Sequence, residues 1–264
     1  MIPKDISLSN NTDYEWKTYF VSYYFPQNKT LIYPNLETQQ NKRFRNWLIK
    51  FKDLVEDGVI KNNYSTTVEF NLFKIITDLF IKNKILKGKF NADIRIGLMN
   101  IPSHLENLDN SVSLLIKELS KDEQFVDMTK TIYRSDKVPR GTRDAYQKKK
   151  SMSWNIGELQ KIKQISLDSI VIIDDVYTSG ATAISMFEKI QEADLDILGS
   201  NICNLCINDD VKFFAFGKTL SEEEIKKNDF SAPNKEIYLP EISNNKIYSR
   251  EDNNKFKASL NNIK

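Results

Sequence analysis

The chain has 264 residues, with 38 Lys and Arg against 36 Asp and Glu, eight glycines, two cysteines and one histidine. That length suits one large domain or a core with a smaller appendage, and a 40% hydrophobic share supplies a sizeable core. Two cysteines exclude a disulfide scaffold and a self-sufficient four-ligand zinc site. One histidine excludes a His-rich metal centre, and a formal charge of +2 argues against a strong nucleic-acid binder on charge alone.

Met1 to Tyr19 lack the basic-then-apolar pattern of a secretory signal, and no apolar run approaches the length that spans a bilayer. The expectation is a cytoplasmic protein in reducing surroundings, without a membrane contact. Residues 1–40, polar and aromatic with Tyr23, Tyr24, Phe25, Pro26 and Tyr33-Pro34, read as an N-terminal extension of irregular structure or short strands against a core. Phe44, Trp47, Leu48 and Phe51 predict an amphipathic helix from Asn41 to about Asp53. Thr66 and Glu69 have capping-box spacing ahead of a stripe of Val68, Leu72, Phe73, Ile75, Ile76, Leu79 and Phe80, which predicts a second, well-buried helix.

From residue 93 the pattern changes. Ile94, Ile96, Leu98 and Ile101 alternate as a strand does and stop at Pro102; Val112, Leu115, Ile116 and Leu119 predict a helix; Phe125 to Tyr133 reads as a second strand. Residues 135 to about 165 are polar and basic, with no core period until Ile162. Ile170-Val171-Ile172-Ile173 is the continuous apolar run of a strand buried on both faces. A turn follows, then a helix with Ala183, Met186, Phe187 and Ile190 on one face, then strand-like runs at Ile197 to Ile207 and Val211 to Phe216. This alternation predicts an α/β fold with a mainly parallel twisted sheet flanked by helices, carried by a core of residues 41–219. The charged, Asn-rich residues 220–264 read as a C-terminal extension or hood.

The segment that carries chemistry runs from Ile170 through Asp174-Asp175-Val176-Tyr177-Thr178-Ser179-Gly180-Ala181-Thr182. A buried strand ends in two adjacent carboxylates, and a turn of small and hydroxyl residues leads at once into a helix. Ligands of open α/β sheets sit beyond the carboxyl ends of the strands, and a helix N-terminus attracts phosphate. Thr178, Ser179 and Thr182 add hydroxyls, and Gly180 admits a close backbone approach. Asp174 and Asp175 are suited to binding sugar hydroxyls or to organising magnesium, which takes oxygen ligands.

Four apolar residues, two acids, two apolar or aromatic residues and then Thr-x-Gly-x-Thr resemble the phosphoribosyl-pyrophosphate (PRPP) signature of type I phosphoribosyltransferases. The layout is most similar to the ComF-like branch over about residues 45 to 219. An apolar-Lys-apolar element (Ile49-Lys50-Phe51-Lys52) stands upstream, Asn100-Ile101-Pro102-Ser103-His104 occupies the pyrophosphate-loop slot, and a basic segment from Ser135 to Lys150 stands where the family has a mobile loop. The N-terminal cysteine cluster common in ComF proteins is absent, and Leu105 to Asn110 replace the usual Gly-Phe-Asn element.

The resemblance implies the type I phosphoribosyltransferase fold and a Mg-dependent transfer of phosphoribosyl from PRPP to a nucleobase-like acceptor that it leaves unidentified. Thr178 to Thr182 would hold the 5′-phosphate, and Asp174 and Asp175 the ribose hydroxyls, directly or through magnesium-bound water. Pro102, Ser103 and His104 would hold pyrophosphate, and Arg140 or Arg143 would close over the leaving group. The family default is a homodimer. The competing reading is a module that senses PRPP or a nucleotide without turnover, within a nucleic-acid-handling assembly of DNA uptake or phage defence, with protein or nucleic acid as partner. Its support is the basic loop of Ser135 to Lys150, with its Lys148-Lys149-Lys150 run, and the aromatic N-terminus. The Cys203-Asn204-Leu205-Cys206 spacing allows half a zinc site or a redox pair, but its apolar setting favours two buried structural cysteines.

Overall fold

The run Ile170-Val171-Ile172-Ile173 lies at the centre of the molecule, and none of its four side chains reaches solvent. A computed structural model of the chain describes residues 6–7, 17–25, 39–56, 58–86, 94–102, 109–136, 144–178, 180–192, 205 and 210–219. Its elements in chain order are β1 (Ile6–Ser7), β2 (Lys17–Tyr23), α1 (Gln39–Lys52), β3 (Val55–Glu56), β4 (Val59–Ile60), α2 (Val68–Phe80), β5 (Ile96–Asn100), α3 (Ser111–Leu119), β6 (Phe125–Asp127), β7 (Ile132–Arg134), α4 (Ala145–Lys150), β8 (Met152–Trp154), α5 (Ile156–Ile162), β9 (Ser169–Tyr177), α6 (Ala181–Glu192) and β10 (Val211–Lys218).

The central sheet has the order β1-β2-β10-β9-β5-β6, with β1 antiparallel and the other five strands parallel. Helices cover both faces, so the chain is α/β with a parallel sheet. Val171 and Ile173 of β9 pack with Ile96, Leu98, Phe214 and residues of α1, α2 and α3. Ile170 and Ile172 point to the other face and pack with Met99, Phe213 and Met186 and Phe187 of α6. Strand alternation therefore divides one apolar run between two cores. From β5 the chain passes through α3 to β6 on one side; from β9 it passes through α6 to β10 on the other. Right-handed crossovers that step in opposite directions require helices on opposite faces, as seen here. The topological switch point thus falls between β5 and β9, where the crevice of such a sheet opens.

Helix α1 begins two residues before the expected start and ends within one residue of the expected end, with Phe44, Leu48 and Phe51 buried. Phe51 sits against Phe73 (ring centroids 4.7 Å) and edge-on to Phe216 of β10 (5.6 Å). This packing anchors the C-terminus of α1 beneath the carboxyl end of the sheet and sets the position of Lys52. The cap of α2 is Thr67, whose hydroxyl accepts from the Phe70 amide, and not the expected Thr66, which belongs to a preceding 3-10 turn. Only Thr67 has the extended backbone that a cap requires beside the first helical turn.

Three other expectations change. Phe125 to Tyr133 is two strands, because Asp127 accepts from the amide and hydroxyl of Thr129 (2.8 and 2.7 Å) and turns the chain out of the sheet. Residues 135 to about 165 are not one polar loop: β7 pairs with β8, and α4 and α5 flank that hairpin. The sheet also reaches into the expected N-terminal extension, since β2 pairs along β10 from Thr18 to Tyr23. Of the strand expected at 197–207 only Leu205 is described, and it is helical rather than extended. Residues 220–264 and the two cysteines lie outside the described residues.

Candidate active site

Strand β9 continues past its apolar run through both acids to Tyr177. Alternation sends the two carboxylates to opposite faces. Asp175 shares the face of Val171 and Ile173, where Lys52 at the end of α1 reaches its Oδ2 at 2.6 Å. Burial acts to lower the Lys52 pKa, but the Asp175 charge and hydrogen bond, with smaller effects from Asp174 and Tyr24, hold it above its ordinary value. Asp174 shares the α6 face, and its Oδ1 accepts from the Asp175 amide at 2.9 Å. Burial pushes the Asp174 carboxyl up to about 8, and the neighbouring Asp175 charge adds to that. The Asp175 amide, Lys52 and Lys148 draw it back without cancelling the rise.

The turn after β9 has the form that a phosphate cradle needs. Gly180 is buried with φ 78°, the left-handed region that only glycine enters without strain. Its carbonyl accepts from the Ile184 amide at 2.9 Å, so Gly180 closes the first turn of α6. Ala181 is buried, Thr178 is exposed, and Thr182 is half-buried in the first turn of the helix. The Thr182 hydroxyl accepts from the Lys148 ammonium of α4 at 2.5 Å. The adjacent Lys149 pairs with Glu188 at 3.1 Å, so two of the three consecutive lysines bind α4 to α6.

Across the switch point stands the end of β5. Asn100 is 7% exposed, and its Oδ1 is buried without a hydrogen-bond partner. It pairs in register with Ile173 and so shares the face of Asp175, one pleat short of it. Two residues on, the Pro102 carbonyl accepts from Nε of Arg134 at 3.3 Å. Arg134 is 3% exposed; its other partner is the Ser151 hydroxyl at 2.7 Å, and among the described residues it has no carboxylate partner. Burial lowers the pKa of Arg134 and of Lys148. The Asp174 charge opposes the effect in both, and for Lys148 the Arg134 charge adds to the lowering. On the α1 face, the Ser111 hydroxyl at the start of α3 donates to the Lys52 carbonyl at 3.0 Å and ties the two helices together at the crevice.

Of the residues singled out in the sequence, Pro102, Asp174, Asp175, Thr178, Gly180, Ala181 and Thr182 therefore meet at one edge of the sheet. Ser103, His104, Arg140, Arg143 and Ser179 lie outside the described residues. Arg134 was not foreseen as a site residue; Asn100 was noted only as the start of the pyrophosphate-loop slot, Lys148 only within the basic segment, and Lys52 only as part of an upstream element. Their signal in the sequence is weak: Lys148 looks like any member of a solvated lysine run, and Arg134 gains its meaning only from burial.

Among the described residues no three His, Cys, Asp or Glu side chains gather in one place, so no all-protein metal cage is built there. Magnesium sites in general need no such cage, since one or two carboxylates completed by water and substrate phosphates suffice. Asp174 and Asp175 fit that mode, and their opposite orientations disfavour direct chelation of one ion by both. No protein-family model matches the chain, and no curated protein matches it.

Proposed function

We propose that the protein binds PRPP at the carboxyl edge of β5 and β9 and transfers its phosphoribosyl group to a nucleobase-like acceptor, within a type I phosphoribosyltransferase fold. The observation that carries this reading is the placement of Asp174-Asp175 directly before the positive-φ Gly180 turn that opens α6, at the switch point of a parallel sheet. Sugar-binding acids and a phosphate-binding turn then lie on one continuous stretch of chain, spaced for the two ends of a ribose 5-phosphate.

The reaction breaks the bond between ribose C1 and pyrophosphate, and catalysis rests on positioning and charge stabilisation. The turn from Thr178 to Thr182 holds the 5′-phosphate through backbone amides and hydroxyls. Asp174 and Asp175 orient the ribose through its hydroxyls, with Lys52 holding Asp175 in place. Pro102 and the cation of Arg134 beside it face the leaving pyrophosphate. Magnesium, when bound beside Asp174 and Asp175, would neutralise charge on the pyrophosphate oxygens.

The alternative, a sensor within a nucleic-acid assembly, drew on the lysine run as a basic surface. Lys149 is paired with Glu188 of α6, which withdraws one of the three lysine charges from that surface. The discriminating assay is pyrophosphate release from PRPP and magnesium across a panel of nucleobases. Release that depends on one base supports the transferase. Binding of PRPP with no release from any base would replace it with the sensor.

A further inference from the structure

Two buried or half-buried cations stand together at the α6 side of the crevice; the Asp174 charge reaches both, but among the described residues no carboxylate forms an ion pair with either. Arg134 contacts only the Pro102 carbonyl and the Ser151 hydroxyl, and Lys148 contacts the Thr182 hydroxyl; among the described residues neither has a carboxylate partner. The neighbouring Lys149, on the same short helix, does have one in Glu188. Like charges drawn out of water and left unpaired are costly, and they persist where an anion comes between them. Lys148 is held 2.5 Å from Thr182, in the first turn of the twelve-residue α6 and two residues past the left-handed Gly180. An ammonium there adds a full charge to the partial charge of the helix N-terminus.

We propose that Lys148 is a phosphate-binding residue of this protein, which leaves the Thr182 hydroxyl to pair with a dianionic sugar phosphate and selects for that phosphate. The proposal rests on the reading of the site as one for PRPP and adds a specificity determinant to it. Lys148 acts on the 5′-phosphate end, whereas Arg134, bonded to Pro102, lies toward the pyrophosphate end. A lysine that served only to hold α4 on α6 would affect both ends of the ligand alike.

The test is calorimetric titration of ribose 5-phosphate, and separately of pyrophosphate with magnesium, into wild type, Lys148→Met and Lys148→Arg. Lys148→Met should lose about ten- to a hundredfold in affinity for ribose 5-phosphate, the value of one charge-assisted hydrogen bond, and keep its affinity for pyrophosphate. Lys148→Arg should recover most of the loss. Equal affinity of wild type and Lys148→Met for ribose 5-phosphate, or a parallel loss for both ligands, overturns the proposal. Should Lys148→Met fail to fold, Lys148→Gln, which keeps a polar group near Thr182, carries the same comparison. A wild type that binds PRPP while Lys148→Met binds ribose 5-phosphate unchanged removes this residue alone; a wild type that binds neither PRPP nor ribose 5-phosphate removes the underlying reading with it.

Discussion

Asp174 and Asp175 are neighbours in sequence with opposite surroundings. Asp175 has a lysine within 2.6 Å, and Asp174 has burial and a like charge. An unfolded chain releases the Asp174 proton near its ordinary value of 3.8, the folded chain near 8. Between those values the folded state holds the extra proton, so this residue makes folding stability fall as pH rises through the window. Asp174→Asn removes that penalty. Free of ligand, the variant should melt a few degrees above wild type near pH 8 and together with it near pH 4, a difference that thermal denaturation across the range will read. Coincident melting at both ends would contradict the assignment. The acid pair was legible because its chemistry is local, five and six residues ahead of Gly180. The cations around it were not, because Lys52, Arg134 and Lys148 lie 123, 41 and 27 positions from Asp175 and come near the pair only through the fold, Lys52 alone in direct contact.

At the scale of elements, those with a clear apolar period or run were readable and those without one were not. Helices α1, α2, α3 and α6 each carry a full apolar stripe, and β9 its continuous run. Helix α4, Ala145–Lys150, buries none of its six residues, so no period was there to find, yet it delivers Lys148 to the site. Strand β10 shows the reverse case. Its residues were expected as a strand, but the role of Gly217 is tertiary: a Cβ there would stand 2.8 Å from Cβ of Tyr24, the residue that follows β2. Because Tyr24 Cβ is a stem atom with its backbone bonded to Lys218, it has little room to yield. Gly217→Ala should therefore cost about 1–3 kcal/mol in denaturant unfolding, the range for overpacking a filled site. A cost near zero would mean that the β2 edge is free to move away from β10.

At the scale of the molecule, the sheet order decides where chemistry can occur. α3 and α6 lie on opposite faces because their crossovers step in opposite directions from β5 and β9, and the gap between those strands is the crevice. The α/β class followed from the order of apolar runs. The sheet order did not, since it depends on which strands pair across long separations: β2 is early in the chain but lies beside β10, the last strand described. Into the crevice the fold brings an acid pair, a left-handed glycine turn and two cations without a carboxylate in ion-pair contact among the described residues, a charge pattern that motivates the proposed phosphosugar ligand. The measurement that tests this most directly is calorimetric titration of PRPP with magnesium into wild type and the Asp174→Asn/Asp175→Asn double variant. Wild type should bind one PRPP per chain, and the double variant should bind at least about a hundredfold more weakly, as expected for the loss of the charged acceptor at Asp175 together with the Asp174 carboxyl. No binding by wild type, or equal affinity in the two proteins, would contradict the account.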